Sequence, residues 1–128
     1  MMGSSSSSSS VSLMSPSVKQ DKFGGPSAQK IVIVGYAGCY YFETSKSSAR
    51  KMGETKPNWA EFEVYACESK SLFKQWLASP PDAAEGRPTT SEAQSHTTSP
   101  FIYYKGGGFI GGNDKFQELL KSSNGSGL

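Results

Sequence analysis

The sequence is poor in the residues from which disulfide-stapled and metal-bound small domains are made: it has two cysteines and one histidine. Cys39 and Cys67 are too few for the disulfide framework of a small secreted domain. His96, set against two cysteines far apart in sequence, makes no recognisable ligand spacing, so no metal site is expected. No stretch approaches the ~20 apolar residues that a membrane span needs. A dense basic run is also missing. With 13 basic against 11 acidic residues the formal charge is +2, and neither a nucleic acid nor a membrane surface is an expected partner. Lys46, Arg50 and Lys51 read as a solvated helix face. The opening segment lacks the basic n-region and apolar core of a secretory signal, which points to a reducing, cytoplasmic setting. The Ser-rich start has no acidic residue before Asp21, as in organelle transit peptides, but it also lacks their arginines.

Apolar residues make up 35% of the chain, and they are unevenly spread. Residues 1–28 are dominated by Ser with Gly and Pro, a composition that cannot offset its ordering entropy, and a disordered tail is expected there. Residues 79–99, rich in Pro, Ser, Thr, Ala and Glu, are too long and polar for an ordinary connection and read as a flexible insertion. Between these, residues 29–122 have the composition of one small domain, followed by a short tail at 123–128.

Within that domain, Ile31-Val32-Ile33-Val34 is a β-branched run suited to a buried central strand. It stops at Gly35-Tyr36-Ala37-Gly38. A helix follows from Cys39 to about Met52, with Phe42, Ala49 and Met52 on one side and Gly53 as its stop. Glu61 to Cys67 alternates, with Phe62, Val64 and Ala66 on one face, and reads as a half-buried strand. A second helix, capped by Ser69 or Ser71, carries Leu72, Phe73, Trp76 and Leu77 and ends before Pro80. Phe101–Tyr104 and the short Phe109-Ile110 form a hairpin, and Asn113 to about Lys121 a last helix. The order β-α-β-α-β-β-α predicts an α/β fold: a four-stranded mixed sheet, its first two strands parallel, flanked by three helices.

Three short features carry chemistry. Cys39 stands between a buried strand and a helix start, where unpaired backbone N–H groups favour a thiolate. Thr98-Ser99-Pro100 leads into the third strand; it is either an ordinary edge proline or a cis X–Pro bond that would expose backbone to an extended ligand. Gly111-Gly112-Asn113-Asp114 opens the last helix, where backbone can approach a carboxylate and Asp114 can face an ammonium. The bland alternative is an ordinary helix start capped by Asn113.

Taken in order, Gly38-Cys39-Tyr40-Tyr41-Phe42, Thr98-Ser99-Pro100 and Gly111-Gly112-Asn113-Asp114 resemble the motifs of the glutaredoxin family over about residues 29–122. The resemblance implies a thioredoxin-like fold and a glutathione-dependent thiol–disulfide oxidoreductase. In that reading Cys39 is the nucleophile and Tyr41 lies beside the glutathione sulfur. Ser99 and Pro100 form the cis-proline segment that pairs with the glutathione backbone, and Gly112, Asn113 and Asp114 hold its γ-glutamyl end. Glutathione and glutathionylated proteins would be the partners of a monomeric enzyme.

Departures from the family shape the expected mechanism. Phe42 replaces the second cysteine of dithiol members, which leaves a monothiol cycle. Tyr36 stands where a lysine often contacts glutathione. Tyr40-Tyr41-Phe42 does not match the Gly-Phe-Ser of cluster-carrying members. A glutathione-ligated [2Fe-2S] scaffold and a binding module without turnover are the alternatives. Cys67, at the end of its strand and opposite Phe62 and Val64, reads as a structural thiol.

Overall fold

The computed structural model describes residues 13, 16–79 and 86–126 of the chain. Five strands and four helices follow one another as β1 (Val18–Gly24), β2 (Lys30–Tyr36), α1 (Tyr40–Thr55), β3 (Glu61–Cys67), α2 (Lys70–Ala78), α3 (Ser91–Ser95), β4 (Phe101–Tyr104), β5 (Phe109–Gly111) and α4 (Asn113–Ser126). The strands form one mixed sheet in the order β1-β3-β2-β4-β5. β2 pairs parallel with β3 and antiparallel with β4, and β1 runs antiparallel to β3 along the far edge.

The sheet is the middle of three layers, and side-chain alternation along each strand divides its core in two. Ile31, Ile33, Phe62, Val64 and Ile102 face one way, onto Phe42, Ala49 and Met52 of α1 and Phe116 and Leu120 of α4. Val32, Val34, Tyr65, Cys67, Phe101 and Tyr103 face the other way, onto Phe73 and Trp76 of α2 and Ala93 of α3. Both faces are covered. The expected half-buried character of the second strand of the domain is therefore corrected: Glu63 and Tyr65 are buried together with Phe62 and Val64. Glu63 tolerates this because the Tyr65 hydroxyl donates to it at 2.8 Å and Lys105 Nζ donates at 3.3 Å. Burial pushes its carboxyl up, but those bonds and the charges of Lys105 and Lys22 outweigh it, and the group lies below the usual carboxylate range.

The four-strand, three-helix expectation is corrected at two places. The first is β1, within the expected tail; residues 1–12, 14 and 15 of that tail lie outside the described residues. Of β1 only Val18 is buried. The strand is held by its backbone ladder to β3 and by ion pairs from Lys22 to Glu61 at 3.3 Å and from Lys46 to Asp21 at 3.4 Å. An edge strand needs little apolar surface, so composition does not reveal it. Lys46, expected on a solvated face, is one of the groups that tie α1 to this edge.

The second place is the insertion, of which 80–85 lie outside the described residues. Arg87 is buried, donates to the carbonyls of Trp76 at 2.7 Å and Ser79 at 2.6 Å, and lies 4.1 Å from the Trp76 ring centroid. It thus adds a charged donor to carbonyls at the end of α2, where a cation is favoured; that of Trp76 also accepts from Ser79 N–H at 3.1 Å. Thr90 then caps α3 by accepting from Ala93 N–H. The described part of the insertion, residues 86–99, is packed against the sheet rather than free of it.

Gly53 does not stop α1, which runs on to Thr55. A Cβ at Gly53 would stand 2.6 Å from the backbone nitrogen of Gly24, whose own φ is +74°. The two glycines let helix and edge strand touch through backbone alone. α4 likewise continues past Lys121 to Ser126, through part of the expected C-terminal tail; residues 127–128 lie outside the described residues.

Two stability measurements follow. Alanine in a helix normally gains about 1 kcal/mol over glycine, yet Gly53→Ala should destabilise the fold by about 1–3 kcal/mol through the Gly24 contact; a raised urea midpoint would refute that contact. Arg87→Ala should cost about 2–4 kcal/mol, because it removes two buried charge-assisted hydrogen bonds and the contact with the Trp76 ring, and Arg87→Lys should recover part of the loss. An unchanged urea midpoint in Arg87→Ala would mean that the insertion is not pinned there.

Candidate functional site

The site lies at the carboxyl end of β2, where the buried run gives way to Gly35–Gly38. Cys39 is the residue preceding α1, in extended conformation with φ −78° and ψ 121°, and its carbonyl already accepts from Glu43 N–H at 2.9 Å. It therefore occupies the helix N-cap, a position whose side chain normally accepts from the second and third helical N–H groups. Those belong to Tyr41 and Phe42; the neutral thiol makes no cap bond to them, and the two amides act on the Cys39 thiolate by lowering the pKa of the thiol.

Across from this helix end, Ser99 and Pro100 precede β4, joined by a cis peptide bond. The neutral Cys39 thiol donates to the Ser99 carbonyl at 3.8 Å. Ser99 Oγ is buried and has no hydrogen-bond partner among the described residues. Gly35 makes room for it: a Cβ there would stand 2.6 Å from Ser99 Oγ and 2.3 Å from the Phe42 ring. The thiolate supplies the missing acceptor. Burial by itself raises the thiol; the Ser99 hydroxyl, the Phe42 and Tyr41 amides and the Tyr36 hydroxyl together outweigh it, and Cys39 lies below the ordinary thiol range.

Tyr36 is a site residue that reading the sequence missed. It was marked only as the place of an absent lysine, whereas its hydroxyl is one of the groups that lower the Cys39 thiol and its ring packs 5.9 Å from that of Phe73. Its phenol is shifted up, first by partial burial and then by the neighbouring thiolate charge and hydrogen bond. The parallel register places Tyr36 opposite Cys67. Cys67 itself is fully buried, and burial pushes its thiol up to about 11. The two thiols thus have opposite characters. Phe42 is wholly buried in the core rather than facing the site.

Beside Cys39 opens a groove of about 680 Å³. Five of the seven expected site residues, Tyr41, Ser99, Gly112, Asn113 and Asp114, line it together. The other two adjoin it, Cys39 through its bond to Ser99 and Pro100 through its peptide bond to the same residue. Gly111 turns the chain at φ +132°, a region that side chains rarely adopt, and thereby aims the start of α4 at the groove. Asn113 is the first residue of α4 and not its cap; its Oδ1 accepts from Ser45 Oγ at 2.8 Å and Gln117 Nε2 at 3.1 Å. Its side chain joins α4 to α1.

The insertion adds residues that the sequence did not assign to a site. Glu92, Ser95, His96 and Thr98 form the opposite wall, and Lys115 joins Asp114 at the start of α4. His96 was expected in a free segment; its Nε2 lies 3.0 Å from the Pro100 carbonyl. A carboxylate on each wall, a helix N-terminus and one lysine make the groove suited to a zwitterionic ligand. Tyr40 and Tyr41 are the exposed large apolar residues of the described part, with ring centroids 5.4 Å apart beside Cys39. Among the described residues no group of three or more His, Cys, Asp or Glu side chains is placed to hold a metal ion, and no helix is long and apolar enough to cross a membrane.

No protein-family model, curated protein or solved structure matches this chain.

The Tyr36 contact has a measurable sign. Removing a donor to the thiolate destabilises the charged form, so Tyr36→Phe should raise the Cys39 pKa by about half a unit to one unit. The pH profile of Cys39 alkylation should move up accordingly. A profile that stays put or moves down would remove Tyr36 from the site.

Proposed function

We propose that this chain is a glutathione-dependent thiol–disulfide oxidoreductase of the glutaredoxin type, working through the single thiol of Cys39. The observation that carries the proposal is a helix-capping cysteine, held below the ordinary thiol range, at the edge of a groove lined by Tyr41, Ser99, Gly112 and Asp114. The parallel βαβ unit and the mixed sheet order support reading the α/β fold as thioredoxin-like with an extra edge strand.

Glutathione has an extended backbone, two carboxylates and one ammonium, and the groove has a place for each kind of group. An extended backbone can lie along Ser99. A carboxylate suits the free N–H groups at the start of α4. The ammonium suits Asp114, and the sulfur comes to Cys39 beside Tyr41.

The reaction needs no other protein thiol. The Cys39 thiolate attacks the glutathionyl sulfur of a protein–glutathione mixed disulfide. A Cys39–glutathione disulfide forms, and the partner leaves as a thiolate that takes a proton from water. A glutathione thiolate then attacks the glutathione sulfur of that adduct, releasing oxidised glutathione and the Cys39 thiolate. The partner cysteine is reduced, one glutathione thiol is oxidised as it joins the glutathionyl group in oxidised glutathione, and the protein is unchanged. During both steps Tyr36, Ser99 and the α1 amides stabilise Cys39 whenever it is the leaving or attacking thiolate. Phe42 prevents the adduct from being resolved within the motif, and Cys67, buried and with a raised pKa, is unsuited to resolving it.

The test is turnover of a glutathionylated peptide with glutathione as reductant. Wild type should release the free peptide with Cys39-dependent kinetics, and Cys39→Ser should fall to the uncatalysed rate. Saturable glutathione binding without turnover would demote the chain to a binding module, and equal rates with and without Cys39 would end the proposal.

A further inference from the structure

The insertion contributes one side chain that touches both halves of the groove. His96 follows α3 as its C-cap, with its own N–H bonded to the Ala93 carbonyl. The Pro100 carbonyl, 3.0 Å from Nε2, can only accept, so Nε2 carries a proton and donates it. Thr98 Oγ1 lies 3.4 Å from the same nitrogen and takes at most a weak second branch. The ring sits edge-on to Phe101 and Phe109, with centroids 5.6 and 5.4 Å away. A Cβ at Gly112 would come within 3.4 Å of His96 Cε1 and 3.7 Å of the Pro100 carbonyl, so these three groups are in close array.

This array matters because of what the 98–100 loop carries. Proline has no N–H to give, and the loop's two successive carbonyls therefore serve as its polar anchors. That of Ser99 takes the Cys39 thiol and that of Pro100 takes His96. Behind His96 the connection continues through α3, capped by Thr90 and seated by Ala93, to Arg87 on the end of α2.

We propose that His96 is a positioning residue: by donating to the Pro100 carbonyl and filling the space between Phe101, Phe109 and Gly112, it holds the Ser99 loop against Cys39. Without that bond the loop gains freedom to move off the helix end, and Ser99 Oγ can turn to water instead of to the sulfur. The hydrogen bond, rather than the bulk of the ring, carries the effect. Glu92, Asp114 and Lys115 line the same groove and remain in every variant below, so their charges are common to all the profiles compared.

The experiment measures the rate of Cys39 alkylation by iodoacetamide against pH in the full chain, with peptide masses separating Cys39 from buried Cys67. His96→Phe keeps an aromatic ring and loses the donor; His96→Gln loses the ring and keeps an N–H that can reach the carbonyl. His96→Phe should move the midpoint up by about one unit, which is about tenfold less thiolate below both midpoints. His96→Gln should return most of the way to wild type, with both variants melting cooperatively. A His96→Phe profile that coincides with wild type overturns the proposal, and so does a His96→Gln shift as large as that of His96→Phe. If His96→Phe does not fold, His96→Met, which also cannot donate, takes its place under the same criteria. No glutathione enters this measurement, so its outcome is independent of whether glutathione is the ligand.

Discussion

β2 is covered on both sides, with Ile31 and Ile33 facing α1 and α4 while Val32 and Val34 face α2. A strand in this position cannot end in a polar turn within the core; it must reach an edge of the sheet before the chain reverses. Tyr36 to Gly38 are where it emerges, and α1 starts at once in order to cover the face just left. Cys39 is consequently delivered to the rim of the sheet, on a helix N-terminus, where the first-turn amides of Tyr41 and Phe42 help to lower its thiol. The neighbours of β2 complete the arrangement. β4, antiparallel to it, brings Ser99 alongside, and β5 leads into α4 close to the same rim. The groove is a consequence of which strands flank β2.

The way the thiolate is stabilised is equally specific. Among the described residues no lysine or arginine is a cause of the lowered Cys39 thiol. The acidity comes from four neutral donors, two backbone amides and the hydroxyls of Ser99 and Tyr36, working against the cost of burial. Neutral dipoles fixed by secondary structure need no counter-ion and are little screened by salt, in contrast to exposed charges. They depend instead on being held still. Ser99 Oγ is useful only where Gly35 admits it and where its loop is anchored, and this gives the packing around Phe42, Gly35 and the insertion a direct bearing on reactivity.

Sequence patterns carried much of this fold. The Ile31–Val34 run, the alternation of Glu61–Cys67 and the Phe101–Tyr104 hairpin lie close to where the pattern places them, and the parallel pairing of β2 with β3 follows from the intervening helix. Face assignment held even where burial did not: Phe62 and Val64 share one core, Tyr65 and Cys67 the other. The expected site residues converge because they sit at the ends of adjacent elements, and each of those ends was marked by Gly, Pro or Cys.

What the sequence determined alone was local: which residues alternate, where strands give way to turns, and that Cys39 precedes a helix. These depend on the order of neighbouring residues. Tertiary structure decided the remainder, because it rests on partners distant in the chain. β1 exists through a ladder to β3 that its own composition cannot announce. Arg87 is buried because it donates to the carbonyls of Trp76 and Ser79 and lies over the Trp76 ring at the end of α2. Tyr36 joins the site through its closeness to a sulfur, and His96 through a single carbonyl at Pro100. Polar side chains look alike in sequence whether water or a buried acceptor receives them, and only the folded arrangement tells the two apart.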